Sequence, residues 1–284
     1  MKGDLTMAEN KVNSVITEKF ITKVAASGYL PWTRPWELVD NQNYESKHVY
    51  TGCNRWMTAL SDFACPYWTT FKKIKEHGGH VLKGSESTAI VFLGSGKSIQ
   101  LDNEDASASN SYRFLRYYQV FNLEQTSLEV PANEQSKVAL LDISQFLSSS
   151  RLPSIKHGDA RAFYRPSTDA IHLPYLASFE AKEAYYATLF HELIHSTGHY
   201  SRLDRTAIFS EDDMRAESYS FEELVAEIGA ALLCKLTGNF TESVEQNSIA
   251  YLQGWKSRLS SNTDWLVSAA SKAEKAVNYL LNED

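Results

Sequence analysis

The chain has 284 residues, 43% hydrophobic and 22% charged, a balance that predicts one large or two ordinary globular domains and excludes bulk disorder. Its formal net charge of −7 argues against a general nucleic-acid coat, and no apolar run reaches the roughly 18 residues of a membrane span. Three scattered cysteines, Cys53, Cys65 and Cys234, offer neither a disulfide framework nor a cysteine-based zinc spacing; with the polar start MKGDLTMAEN they read as a cytoplasmic protein.

The charge is unevenly spread. Residues 1–130 hold 14 basic and 14 acidic side chains, whereas 131–284 hold 14 and 21. Within 47–97 basic residues outnumber acidic ones seven to three, so a local basic face in the front half remains open.

In chain order, NKVNSVITEKFITKVAAS (10–27) carries Val12, Val15, Ile16, Phe20, Ile21 and Val24 at helical spacing, and Gly28 follows as a stop. YLPWTRPWELV, with two Pro-Trp pairs, reads as an extended loop. Short helices are expected over 54–64 and 69–79. HVLKGSESTAIVFLG (80–94) reads as two strands around a Gly-Ser turn, 94–111 as a polar loop, and YRFLRYYQVFNLEQT (112–126) as a long strand. The pattern weakens over 128–150, expected to be a linker. RAFYRPSTDAIHLP (161–174) predicts two short strands around a Pro-Ser-Thr-Asp turn. Helices follow over 179–198 and over 220–236, where Ser220 precedes Glu223 by three in a capping-box pattern; two more close the chain. These elements predict an α+β protein of two domains, 10–127 and 151–284.

YYATLFHELIHSTGHYSRLDR (185–205) contains His191-Glu192-Leu193-Ile194-His195. Residues four apart on a helix share a face one turn apart, so His191 and His195 can hold one metal ion and Glu192 can act as general base toward an activated water. Zn²⁺, one per chain, is the default for such donors, although another divalent metal is possible. A third ligand is needed. Glu223 in ELVAE is favoured, with Glu227 four residues on placed to accept a ligand histidine's free N–H. His199 is the alternative, but a straight helix puts it about 12 Å along the axis from His191. DAIHLP is expected to be an edge strand able to pair with a peptide, with His172 as a further polar contact and Tyr164 as an oxyanion donor.

In the front half Trp32, Trp36, Trp56 and Trp68 are interleaved with Arg34, Lys47, Arg55, Lys72, Lys73 and Lys75. Aromatic faces beside cations suit single-stranded nucleic acid, although each tryptophan taken alone is a core candidate. The candidate DNA contacts are Trp32, Arg34, Trp36, Arg55, Lys72 and Lys73. GSGKS (94–98) lacks the phosphate-loop spacing.

YLPWTRPW, YYQVFNLEQT, YYATLFHELIHSTGHYSRLDR and FEELVAEIGAALL together resemble the ArdC-type antirestriction proteins of conjugative plasmids and related mobile elements, over almost the whole chain. The resemblance implies an N-terminal single-stranded-DNA-binding domain and a C-terminal zincin-like metallopeptidase domain. It also implies protection of incoming mobile-element DNA from host restriction. His191, Glu192 and His195 carry over as the zinc-helix residues, and Glu223 carries over from the ELVAE segment. The expected partners are single-stranded DNA and an unknown protein substrate, with no membrane. Two other readings fit the same residues: a DNA-binding module with a non-catalytic metallopeptidase fold, and a metallopeptidase without a nucleic-acid role.

Overall fold

The computed structural model describes residues 7–27, 40–61, 63–98, 110–131, 140–205, 216–239 and 248–283. The chain is α+β and divides into two compact units. Lys256–Asp264, late in the sequence, is counted with the first unit.

In the first unit, helix α1 (Met7–Ser27) buries Val12, Ile16, Phe20 and Val24, one stripe at four-residue spacing. Two polar side chains beside that stripe are also buried, Asn13 and Thr17; the Thr17 hydroxyl donates to the Thr263 carbonyl at 2.8 Å. Strand β1 (Gln42–Asn43), helix α2 (Gly52–Ala59), strand β2 (Tyr67–Thr70), helix α3 (Phe71–Glu76), and strands β3 (Thr88–Ser98) and β4 (Asn110–Asn122) follow. The sheet order is β1-β2-β4-β3, parallel between β1 and β2 and antiparallel elsewhere. Tyr50, Trp68, Ile90 and Val120 form a core cluster, with Phe63 packed against it. Trp56 and Trp68 are buried, so these two tryptophans build the fold. The Trp68 indole N–H finds its partner in Asn41 Oδ1 at 2.8 Å.

The expected hairpin within 80–94 is not formed. Residues 80–82 instead lie against the turn after β4, through Leu82 N–H to the Gln125 carbonyl and Ser127 N–H to the His80 carbonyl, both 2.9 Å. Gly84, with φ of +88°, turns the chain into β3. The long strand β3 then pairs with β4 over eleven residue pairs, from Thr88↔Val120 to Ser98↔Asn110.

In the second unit, helix α4 (Ile143–Leu147) falls within the stretch read as a linker, capped by the Asp142 carboxylate on Gln145 N–H. Its Phe146 packs edge-on against Phe190. Strands β5 (Ser154–His157), β6 (Phe163–Arg165) and β7 (Ala170–Leu173) form a sheet in the order β5-β7-β6. β7 is therefore the central strand, not an edge. Its expected free side is taken by the parallel strand β5, whose sequence SIKH lacks a clear alternation. Helices α5 (Lys182–Thr197), α6 (Ala216–Thr237), α7 (Ser248–Ser261) and α8 (Trp265–Leu281) complete the chain, α7 from Lys256 onward counting with the first unit. α6 begins a turn before Ser220, so Ser220 is an interior, buried residue and no capping box forms there. α5 packs on β6, β7, α6 and α8. Among the described residues no helix is long and apolar enough to cross a membrane.

Candidate metal centre

The second half of α5 is buried nearly all round: Leu189, Phe190, Leu193 and Ile194 face the core, and His195, Ser196 and Thr197 are enclosed as well. α6 crosses α5 closely because Gly229 has no side chain. A Cβ there would lie 2.7 Å from Ile194 Cδ1. About two turns before Gly229 on α6 come Glu222, on the same side as Gly229, and Glu223, turned to one flank of it.

His191 and His195 bring their Nε2 atoms to 3.0 Å. Glu223 Oε2 lies 3.4 Å from His191 Nε2, and its Oε1 lies 3.3 Å from His195 Nε2. The three side chains are grouped so that one ligand atom from each lies within 4.8 Å of the others. Donors held about 2.0–2.1 Å from a tetrahedral ion are about 3.3 Å apart, so this set fits a single divalent cation of zinc's size. Glu192 is buried on the same helix, one residue after His191. His199 stands outside the cluster. Its Nδ1 bonds the Ser201 hydroxyl at 2.7 Å, and the chain after Gly198 folds back through Arg205 N–H to the Gly198 carbonyl.

The group behind His195 is Glu222, not Glu227. Glu222 Oε1 lies 3.5 Å from His195 Nδ1. Arg205 holds this buried carboxylate with two bonds, Nη2 to Oε1 at 2.7 Å and Nε to Oε2 at 3.1 Å. The same guanidinium donates to Thr197 Oγ1 at 2.9 Å and to the Ile194 carbonyl at 2.8 Å. Arg205 thus ties the end of α5 to α6 and satisfies a helix carbonyl. Burial pulls His195 down, but its hydrogen bonds and charge interactions with Glu222 and Glu223 win and raise it to about 10. Burial would raise the two carboxyls, yet their histidine and arginine partners hold both below the usual carboxylate range.

A second arginine works on the opposite side. Arg202 Nε caps the Ser196 carbonyl at 2.7 Å, and its terminal nitrogens grip Asp169 in the β6–β7 turn. Asp169 adopts a left-handed conformation, φ 44°. The Tyr164 hydroxyl donates to Asp169 Oδ1 at 2.7 Å and accepts from Arg202 at 3.0 Å, so it is held in this clamp and not presented as an oxyanion donor. His172 is buried, its Nδ1 2.7 Å from Asp159 Oδ2 and its ring stacked on Phe163. Arg202 and Arg205 fall inside the motif YYATLFHELIHSTGHYSRLDR, but nothing in its spacing assigns them a role. Their roles depend on contacts with Asp169 and Glu222, distant in sequence.

Of the candidate DNA contacts, Trp32, Arg34 and Trp36 lie outside the described residues. Arg55 lies 3.4 Å from Asp40. Lys72 and Lys73 both lean on Glu76, at 3.7 and 2.6 Å.

Two family models match the chain: the N-terminal domain of anti-restriction factor ArdC over residues 10–121, and a zincin-like metallopeptidase over 142–272. The crystal structure of the metal-free antirestriction ArdC protein from the R388 plasmid is similar at 30% identity and a TM-score of 0.70, covering 98% of both chains. Its Mn(II)-bound structure gives 31% identity and a TM-score of 0.72, over 96% of this chain and 97% of that one. The DNA primase TraC of Escherichia coli is 30% identical over 97% of this chain, which spans only 28% of the primase. Protein y4eC of Sinorhizobium fredii is 28% identical over 93% of this chain and 90% of its own length. With both domains matched in order, and with an ArdC structure aligned end to end, this chain belongs to the ArdC-type antirestriction family.

Proposed function

We propose that this chain is a cytoplasmic antirestriction protein that binds single-stranded DNA through its first unit and carries a Zn²⁺-dependent peptidase site in its second. By cleaving a protein on or near that DNA, it protects incoming mobile-element DNA from host restriction. The observation that carries the peptidase reading is the meeting of His191, His195 and Glu223 at tetrahedral spacing, with Glu192 on the same helix turn. Two nitrogen donors and one carboxylate favour zinc, and the Mn(II)-bound relative supports a divalent ion at such a site. A divalent ion held there supplies a Lewis acid that polarises a peptide carbonyl and acidifies water. Glu192 takes the proton of the attacking water and returns it to the departing amine. Glu222, fixed by Arg205, faces His195 Nδ1 at 3.5 Å and favours the ring orientation with Nε2 turned to the cluster. Arg202 and Asp169 brace the β6–β7 turn against the end of the same helix.

The test is the metal content of the purified protein by mass spectrometry after zinc loading and removal of excess, with Glu223→Ala and His199→Ala beside the wild type. About one ion per chain is expected, lost in Glu223→Ala and kept in His199→Ala. Loss in His199→Ala alone would reverse the third ligand. An ion-free wild type would overturn the metal reading and leave DNA binding as the function to pursue.

A further inference from the structure

The outer part of the β3–β4 hairpin carries a strip of rings and cations that none of the motifs above explains. β2 pairs with β4 only at Val120, Phe121 and Asn122. Beyond Val120, β4 has β3 as its strand partner. Cross-strand partners in an antiparallel pair lie on one face, and that face alternates along each strand. Thr88, Ile90 and Val120 begin this face in the core, and the pairs Ile90↔Tyr118, Phe92↔Arg116 and Gly94↔Phe114 continue it outward.

The outward part is apolar yet open to solvent. Phe92 is 50% exposed and Tyr118 42%. Their rings meet edge-on at 6.0 Å, and the Arg116 guanidinium lies 4.7 Å over the Phe114 ring. Gly94 provides the floor for Phe114, since a Cβ there would strike the ring at 2.3 Å. Leu93 and Tyr117 are exposed on the reverse face. β3 and β4 contain no acidic residue, whereas Lys97, Arg113 and Arg116 fall within them.

We propose that the face formed by Tyr118, Phe92, Arg116 and Phe114 is where single-stranded DNA binds the first unit. This rests on the proposed DNA-binding function and locates it. Exposed rings offer stacking platforms to unpaired bases of any sequence, and the acid-free strands suit the phosphates between them. A duplex keeps its base faces stacked inside and cannot use such a strip. Strand addition by a peptide is opposed at Val91, where Asn54 already engages the edge of β3: its Oδ1 accepts from Val91 N–H at 2.7 Å and its Nδ2 donates to the Val91 carbonyl at 2.8 Å. Arg55, Lys72 and Lys73 each sit beside a carboxylate, so the hairpin is the stronger site.

The test uses the full chain, a fluorescein-labelled oligothymidylate and anisotropy across a salt series. Phe92→Ala/Tyr118→Ala is expected to weaken binding by at least about tenfold. Arg116→Ala is expected to flatten the salt slope by about 0.7. In the wild type, 4-thiothymidine photocrosslinks are expected in peptides from 88–98 or 110–122, a readout that survives if the double variant fails to fold. Tight wild-type binding with a folded double variant of equal affinity, or crosslinks only elsewhere, would overturn the hairpin assignment and leave DNA binding standing. A wild type that binds no oligonucleotide at low salt would overturn both.

Discussion

Arg205→Ala is the sharpest probe of how the centre is held. The guanidinium is 5% exposed and Glu222 2%, so solvent cannot replace what is lost. The substitution removes both bonds to Glu222 and those to Thr197 and the Ile194 carbonyl, leaving an enclosed carboxylate whose nearest charged neighbours are His195 Nδ1, 3.5 Å away, and the more distant Lys272. Breaking a buried pair from one side costs about 3–5 kcal/mol, equivalent to a fall in melting temperature of roughly 6–20 °C for a unit of this size. Urea or thermal melts at pH 7, with metal removed from both proteins, measure the loss free of ligand stabilisation. The deficit should shrink in acid. The carboxyl of Glu222 is held below its ordinary value in the folded protein, so its contribution is present above the carboxylate range and is lost as pH falls through the folded value. Glu222→Gln keeps the shape but withdraws the charge behind His195, and metal affinity should fall about 10–100-fold. An Arg205→Ala protein within about 1 kcal/mol of wild type, with unchanged metal affinity, would refute the clamp.

Other consequences are open to direct measurement. Glu192→Gln should retain the ion and the melting temperature yet lose about 10²–10⁴-fold in hydrolysis of a verified protein substrate; undiminished hydrolysis removes Glu192 as the base. Gly229→Ala should destabilise by about 1–2 kcal/mol, because crowding of Ile194 outweighs the roughly 1 kcal/mol that alanine gains in a helix. Pairing it with Ile194→Ala should cost less than the sum of the two, whereas simple additivity would mean the helices do not meet there. With His195 raised to about 10 in the metal-free protein, zinc binding at pH 7 should release close to one proton and weaken as pH falls. Calorimetry in two buffers of different ionisation enthalpy would show no difference if His195 were already neutral.

The local half of the site was legible in the sequence. A four-residue spacing places two histidines on one helix face, and Glu192 comes with it because neighbours in a helix keep a fixed angle. Glu223 was reachable too, as an acid near the start of the next helix. The same periodicity assigns the supporting role to Glu227, yet behind His195 the acid is Glu222, for a definable reason. His195 uses both ring nitrogens, Nε2 toward His191 and Glu223 and Nδ1 toward Glu222. The supporting acid must therefore stand to one side of the ligand acid on α6, a condition set by how α6 crosses α5 at Gly229. Nothing local in FEELVAE distinguishes Glu222 from Glu227. A buried arginine seventeen residues earlier does, through a contact seen only in the folded chain.

The first unit shows the complementary limit. Tryptophan clustering pointed to a surface for bases, yet Trp56 and Trp68 are core residues, as their size favours. The rings left in solvent belong to the strand read simply as long and aromatic. Its length is the informative feature. β4 spans thirteen residues and its neighbour β2 only four, so on that side most of β4 has no strand beside it. Burying apolar surface is the main driving force of folding, so the exposed rings of Phe92 and Tyr118 add little to stability and need another account. Rings, arginine and the absence of acids on the same two strands are the combination that an unpaired, polyanionic strand would select, which is why the proposed DNA site is placed on the β3–β4 hairpin.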